Sequence, residues 1–173
     1  GRYVSCDYGT QNATVFLLWN KGTDGVWYCI REYYYSGRTE GKQKTDSEYA
    51  DDLESWLEET KIKGIIVDPS AASFIAELRK RGYKVVKAKN NVEDGIRVVG
   101  TKLNQEAIIF ADSCVNTIQE FGSYIWDEAA AAHGEDRPVK EHDHAMDALR
   151  YFVYTILNNQ TAIIRSKRKA GFH

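Results

Sequence analysis

Apolar positions in the first part of the chain fall into three short runs. Residues 3–6, 13–19 and 26–35 are each rich in β-branched, aromatic and other apolar side chains, which predicts three strands. The Asp24-Gly25 pair between the second and third runs is typical of a hairpin turn. We therefore expect three consecutive antiparallel strands.

The apolar spacing then changes to the period of a helix. Apolar side chains from Tyr49 to Leu57 recur on one helical face, with Asp46 or Ser47 as the predicted N-cap and the pair Lys63-Gly64 as the predicted end. Short strands are predicted at residues 64–67 and 83–86, and a helix at residues 74–78 lies between them. This order after a hairpin predicts an α/β protein whose mixed sheet is flanked by helices.

The C-terminal half is predicted to be mainly helical. Helices are expected at residues 93–102, 114–121 and 141–157, and a short extended piece at 107–110. Residues 124–127 are expected to begin a small hairpin over the segment 129–138. The predicted organisation is one domain over residues 1–158, followed by a basic, flexible tail at residues 159–173.

Composition supports a single soluble globular domain. The 173 residues are 43% hydrophobic and 28% charged, and no apolar run approaches the ~20 residues that cross a bilayer. The three cysteines are scattered, which favours reduced packing residues and an intracellular compartment. Because the chain begins with Gly1 and enters a strand at once, we interpret it as a domain taken from a longer protein.

Charge is unevenly distributed although the net charge is only −2. Seven acids and no base lie between Asp46 and Glu59, which we interpret as a solvated helix face. Eight bases and two acids lie between Arg79 and Lys102. This basic stretch is either a solvated surface or a phosphate contact. Its candidate contact residues are Lys87, Lys89, Arg97 and Lys102.

Three aspartates stand where a sheet could gather them. Asp7 follows the first predicted strand, Asp68 follows the fourth, and Asp147 lies in the last helix one turn from His144. Each alone is more often a turn former, a helix cap or part of a wet helix face. Together they predict a site for Mg²⁺ or Mn²⁺, which prefer oxygen ligands. Asp143, at the start of the same helix, is a candidate supporting residue.

These residues lie in three motifs that resemble a known family. The motifs Val4-Ser5-Cys6-Asp7-Tyr8-Gly9, Ile65-Ile66-Val67-Asp68 and Asp143-His144-Ala145-Met146-Asp147-Ala148-Leu149-Arg150-Tyr151 are similar to the nuclease motifs of tailed-bacteriophage terminase large subunits. The resemblance is particularly to the subunit of Bacillus phage SPP1 and its relatives. It spans residues 3–154, and the last motif is the most specific.

The resemblance implies a ribonuclease-H-like (integrase/resolvase-like) fold and an endonuclease that cleaves concatemeric double-stranded viral DNA during genome packaging. Asp7, Asp68 and Asp147 would hold two Mg²⁺ or Mn²⁺ ions for phosphodiester hydrolysis, with His144 as a further catalytic residue beside them. Some relatives have Glu where this chain has Asp68. The segment 122–139 would lie near the site, where a gating role is expected.

The same resemblance implies partners and a compartment. They are double-stranded DNA, an N-terminal ATPase domain of the same full-length protein, the terminase small subunit and the portal protein, in the host cytoplasm and with no membrane. The basic residues would then contact DNA. The sequence carries no Gly-x-x-x-x-Gly-Lys-Ser/Thr motif, so the ATPase site is not expected within it.

Three other functions remain open from the sequence. A resolvase- or transposase-type nuclease would share the metal chemistry but prefer branched DNA or defined ends. An actin-like nucleotide-binding domain would share the Asp7-Tyr8-Gly9-Thr10 loop, although such proteins need two domains of this kind. A catalytically inert interaction module with this fold would bind DNA or the portal without cutting.

Overall fold

The computed structural model describes residues 1–9, 12–132 and 143–158. The strands are β1 (Arg2–Asp7), β2 (Ala13–Lys21), β3 (Trp27–Ser36), β4 (Gly64–Val67), β5 (Val85–Lys87) and β6 (Ile108–Phe110). The helices are α1 (Gly37–Glu40), α2 (Asp46–Leu57), α3 (Ala72–Lys80), α4 (Val92–Asn104), α5 (Val115–Ala132) and α6 (His144–Phe152), and a π-helical turn, Val153–Leu157, continues α6.

The six strands form one mixed sheet in the order β5-β4-β1-β2-β3-β6. The first three are antiparallel neighbours, as the hairpin pattern predicts, while β4, β5 and β6 each join the sheet in parallel. Parallel neighbours require crossover connections, and α3 provides one between β4 and β5. The predicted α/β class with a mixed, helix-flanked sheet is confirmed.

Helices cover both faces of the sheet because the central strands are apolar on both sides. Val4, Cys6 and Phe16 lie in a core with α2 and α3, whereas Leu17 and Trp19 lie in a second core with α6. The Trp19 ring stacks on Phe152 with ring centroids 4.3 Å apart, which ties α6 to the middle of the sheet.

The limits of α2 differ from those predicted. Its N-cap is Thr45, whose hydroxyl accepts a hydrogen bond from the Glu48 N–H at 3.2 Å, so the prediction of Asp46 or Ser47 is wrong. The Thr45 hydroxyl also lies 3.3 Å from Glu48 Oε1, and the Thr-x-x-Glu spacing typical of a helix start is visible in the sequence. The helix also ends at Leu57, since Glu58 takes a left-handed φ of 54°. Gly64 is instead the first residue of β4.

The prediction of a hairpin starting at residues 124–127 is also wrong. Helix α5 continues through this region to Ala132. Its last residues are a run of alanines, which have the highest intrinsic helix propensity. Residues 133–142 and the predicted tail, 159–173, lie outside the described residues. The predicted start of the last helix at residue 141 lies there too.

Two other predictions concern cysteines and membranes. All three cysteines are buried and free, with the sulfurs of Cys29 and Cys114 3.8 Å apart. In the part of the chain that the structure describes, no helix is both long and apolar enough to span a bilayer.

Candidate metal centre

The carboxyl edge of the central parallel strands carries two aspartates. Strands β1 and β4 are parallel neighbours, with Cys6 paired to Val67. Asp7 follows Cys6 as the last residue of β1, and Asp68 follows Val67 directly after β4. The two aspartates therefore lie at the same edge of the sheet. This is the edge at which α/β proteins usually hold ligands.

Helix α6 brings His144 and Asp147 to this edge. Ala145 and Ala148 are fully buried against the sheet, and their small side chains allow the helix to approach closely. Ligand atoms of Asp7, His144 and Asp147 lie within 4.8 Å of one another. The His144 Nδ1 is 2.9 Å from Asp7 Oδ2, and both side chains are about one-seventh exposed, at 15% and 14%.

Asp68 stands at the same edge but outside this group of three. Its Oδ1 accepts a hydrogen bond from the Ser70 N–H at 2.8 Å, and its Oδ2 accepts one from the Asn90 amide at 3.3 Å. Burial acts to raise the pKa of Asp68, but bonds from Ser70, Asn90 and Tyr151 outweigh it and lower the pKa. Of the four predicted site residues, three are therefore gathered closely and one is held beside them.

Burial and neighbouring negative charges raise the pKa values of Asp7 and Asp147. Burial, followed by the charges of Asp7 and Asp143, raises the pKa of Asp147 to about 6. Burial also raises the pKa of Asp7, although its bond to His144 acts in the opposite direction. The pKa of His144 is raised by the same bond. A divalent cation between these carboxylates would relieve this repulsion.

One wall beside Asp147 is apolar. A groove of about 580 Å³ runs between α4, α5 and α6, and its lining includes Val92, Leu103, Phe121 and Met146. Asp143, Asp147 and Arg150 line the same groove.

Glu120, on α5, is a site residue that the sequence does not predict. Its carboxylate accepts a hydrogen bond from the Ala145 N–H at 2.7 Å and one from the Tyr34 hydroxyl at 3.3 Å. It thus caps the first turn of α6, the helix that carries His144 and Asp147. No motif links α5 to α6 in the sequence, so only the fold reveals this contact.

Glu120 provides a test of how the site is held. Burial raises its pKa from the usual 4.5 to about 7, so the folded state disfavours its ionised form. The protonated Glu120 is favoured in the folded state, so its contribution to the free energy of unfolding is full below pH ~4.5 and is lost as pH rises towards 7. In EDTA, Glu120→Gln should therefore unfold at a higher temperature than wild type at pH 8, and the difference should shrink at pH 5. A difference that does not change with pH would contradict this assignment.

The four predicted basic contacts lie in two parts of the chain, the end of β5 with the loop after it and helix α4. Lys87 is exposed at the end of β5 and pairs with Val67, so it lies beside the edge that carries Asp68. Lys89 is exposed two residues further along the chain. Arg97 and Lys102 lie on α4 five residues apart, which places them about 140° apart around the helix. Arg97 pairs with Asp94. Lys87 is thus paired with the residue before Asp68, and Lys89 directly precedes Asn90, whose amide donates to Asp68.

The segment 122–139, expected near the site, is described only in part. Its first residues belong to α5, whose earlier residue Glu120 contacts α6, and the rest lies outside the described residues. Asp143 is the residue before α6, and its carbonyl accepts the Asp147 N–H at 2.8 Å.

The six-stranded mixed sheet flanked by helices has the ribonuclease-H-like fold. No protein-family model matches the chain. The terminase large subunit of Escherichia phage T5 is 27% identical over 157 residues, which cover 88% of this chain and 34% of that protein.

Two solved structures of large terminases are also similar to this chain. The large terminase of a thermophilic bacteriophage, in complex with ADP, is 59% identical with a TM-score of 0.81, covering 90% of this chain and 39% of that one. The nuclease domain of the SPP1 large terminase, with bound Mn, is 19% identical with a TM-score of 0.57, covering 87% of this chain and 84% of that one.

These similarities confirm the resemblance to the nuclease domain of terminase large subunits. The chain spans about a third of the T5 relative and about two-fifths of the thermophilic-phage terminase. It covers most of the isolated SPP1 nuclease domain. At 19% identity, the similarity to the SPP1 nuclease domain shows a shared fold.

Proposed function

We propose that this chain is a divalent-metal-dependent endodeoxyribonuclease that cleaves concatemeric double-stranded viral DNA during genome packaging. The observation that carries the proposal is the group formed by Asp7, Asp147 and His144 at the carboxyl edge of the sheet. The similarity to terminase large subunits supports a packaging nuclease as its setting.

The donor chemistry of the group fits Mg²⁺ or Mn²⁺. Asp7 and Asp147 offer hard carboxylate oxygens, and the SPP1 nuclease domain is known with bound Mn. We assign Asp7 and Asp147 as ligands, with Asp68 completing a second position for two ions. Bound ions would supply Lewis acidity at a phosphodiester, activating water and offsetting charge on the leaving oxygen.

The protein's own residues have separate tasks in this proposal. The sheet fixes Asp7, since the strand that carries it is hydrogen-bonded on both sides. His144 lies where its Nδ1 can hold a proton against Asp7 or exchange it during the reaction. Lys87 and Lys89 would contact phosphates beside the acids, with Arg97 and Lys102 as more distant contacts. Such contacts do not read base sequence.

The partners and compartment are proposed from the relatives. We assign residues 1–158 as the nuclease domain and residues 159–173 as a basic tail. The partners would be double-stranded DNA, an ATPase domain of the full-length protein, the terminase small subunit and the portal protein. The reaction would then take place in the host cytoplasm.

Supercoiled plasmid tests the proposed activity. The purified chain is incubated with plasmid in Mn²⁺, in Mg²⁺ and in EDTA, and the products are separated on agarose. Nicked and linear DNA should form with at least one ion and not in EDTA. Cleavage that continues in EDTA would contradict metal dependence, and binding of DNA without cleavage under either ion would favour an inert module.

A further inference from the structure

A chain of polar contacts joins Asp147 to Asp68 without passing through Asp7 or His144. The Arg150 guanidinium donates to Asp147 Oδ1 at 3.1 Å and to the Asn90 carbonyl at 2.9 Å. The Asn90 side-chain amide then donates to Asp68 Oδ2 at 3.3 Å. Two acids on different elements are thus connected through the loop between β5 and α4.

Arg150 is held in place by the surrounding structure. It is 7% exposed, and its guanidinium also lies 3.4 Å from the Asn91 carbonyl. Gly95 packs directly against its stem: a Cβ at this position would lie 2.7 Å from Arg150 Cγ and 2.8 Å from its Cδ. The missing side chain of Gly95 therefore leaves the space that Arg150 occupies.

The geometry suits a planar, forked donor. One nitrogen of the guanidinium faces a carboxylate, while the other faces backbone carbonyls. A lysine ammonium has no second, rigidly placed nitrogen with which to reproduce this arrangement. Asn90 is exposed, so its amide adds little to the core, yet it is directed at Asp68.

We propose that Arg150 and Asn90 are positioning residues that set the separation and orientation of Asp147 and Asp68 for metal binding. This inference rests on the proposed function, because it concerns the same site. Neither residue need touch DNA or the ions. Their effect is carried by the two carboxylates, as is usual for groups that hydrogen-bond to metal ligands.

Three substitutions test this positioning role against a matched control. Asn90→Ala removes the amide but keeps the carbonyl that Arg150 uses. Gly95→Ala displaces Arg150 without removing a polar group, and Arg150→Lys keeps the charge without the fork. Gln105→Ala, at the exposed end of α4, is the control. Each variant is titrated with Mn²⁺ by electron paramagnetic resonance, and its unfolding midpoint is measured in EDTA.

Asn90→Ala and Gly95→Ala should weaken Mn²⁺ binding by about 10- to 100-fold. The EDTA midpoint of Asn90→Ala should stay within about 2 °C of wild type, since an exposed side chain is lost. Arg150→Lys should also bind Mn²⁺ more weakly, and Gln105→Ala should match wild type. On plasmid, Asn90→Ala should lower kcat with little change in KM.

Wild-type Mn²⁺ affinity in both Asn90→Ala and Gly95→Ala would overturn the positioning role, while leaving the metal site in place if Asp147→Ala still abolishes binding. A lower EDTA midpoint for Asn90→Ala with unchanged affinity would also overturn it, since that is the result of a structural role. Failure of the wild-type chain to bind Mn²⁺ would instead contradict the metal site itself.

Discussion

Asp7→Asn is expected to reduce metal-dependent plasmid cleavage by at least about 1,000-fold, as removal of a central catalytic group commonly does. Asparagine has the shape of aspartate but lacks the negative charge that attracts a divalent ion. Asp7 lies at the centre of the proposed site, next to His144 and within the same group as Asp147. Initial rates of nicking, measured at saturating Mn²⁺, give the effect directly.

The same variant should fold normally. Because burial raises the pKa of Asp7, the folded state disfavours its charged form at neutral pH, and a neutral replacement removes that cost. The unfolding midpoint in EDTA should therefore not fall. Asp112→Asn, at an exposed turn between β6 and α5, is the control for a generic loss of charge. Cleavage by purified Asp7→Asn at the wild-type rate would exclude Asp7 from the site.

Mn²⁺ is expected to stabilise the wild-type chain strongly at pH 7.5. A ligand at 100 times its Kd adds about 2.7 kcal/mol to the free energy of unfolding. For a domain of this size that corresponds to a rise of roughly 5–10 °C in Tm. Thermal unfolding followed by circular dichroism, with and without Mn²⁺, measures the rise. Asp147→Ala should show little of it.

This stabilisation should weaken in acid. The pKa of Asp147 is about 6, so protons compete with the ion as pH falls through that value. At pH 5, Asp147 alone should lower the apparent affinity about tenfold relative to pH 7.5, and the raised pKa values of Asp7 and His144 act in the same direction. An equal Tm rise at both pH values would show that Mn²⁺ binds elsewhere.

Much of the fold follows from apolar periodicity. The three N-terminal strands are rich in apolar and aromatic residues and are separated by short turn segments, a pattern that predicts antiparallel neighbours. Element ends are less predictable. The end of α2 depends on the backbone at Glu58, which has no distinctive residue type. The extent of α5 is not evident from the sequence because an alanine run has no capping or breaking signal.

The site is predictable only where residues follow recognisable elements. Asp7 ends β1 and Asp68 directly follows β4, while His144 and Asp147 share a helical face, so their types and places in the chain indicate a metal site. Asn90 and Glu120 carry no such signal, and the last motif includes Arg150 without indicating its partners. Their roles arise from packing between elements far apart in sequence, such as the contact between Asn90 and Arg150, which are 60 residues apart.

Anomalous diffraction from crystals soaked in Mn²⁺ tests the metal site most directly. Mn²⁺ scatters anomalously, so the ion positions are located independently of the protein coordinates. We expect peaks within coordination distance of carboxylate oxygens of Asp7 and Asp147, and their loss in crystals of Asp7→Asn. Mn²⁺ peaks confined to other parts of the surface, with the Asp7 and Asp147 carboxylates free of metal, would contradict the proposed nuclease centre.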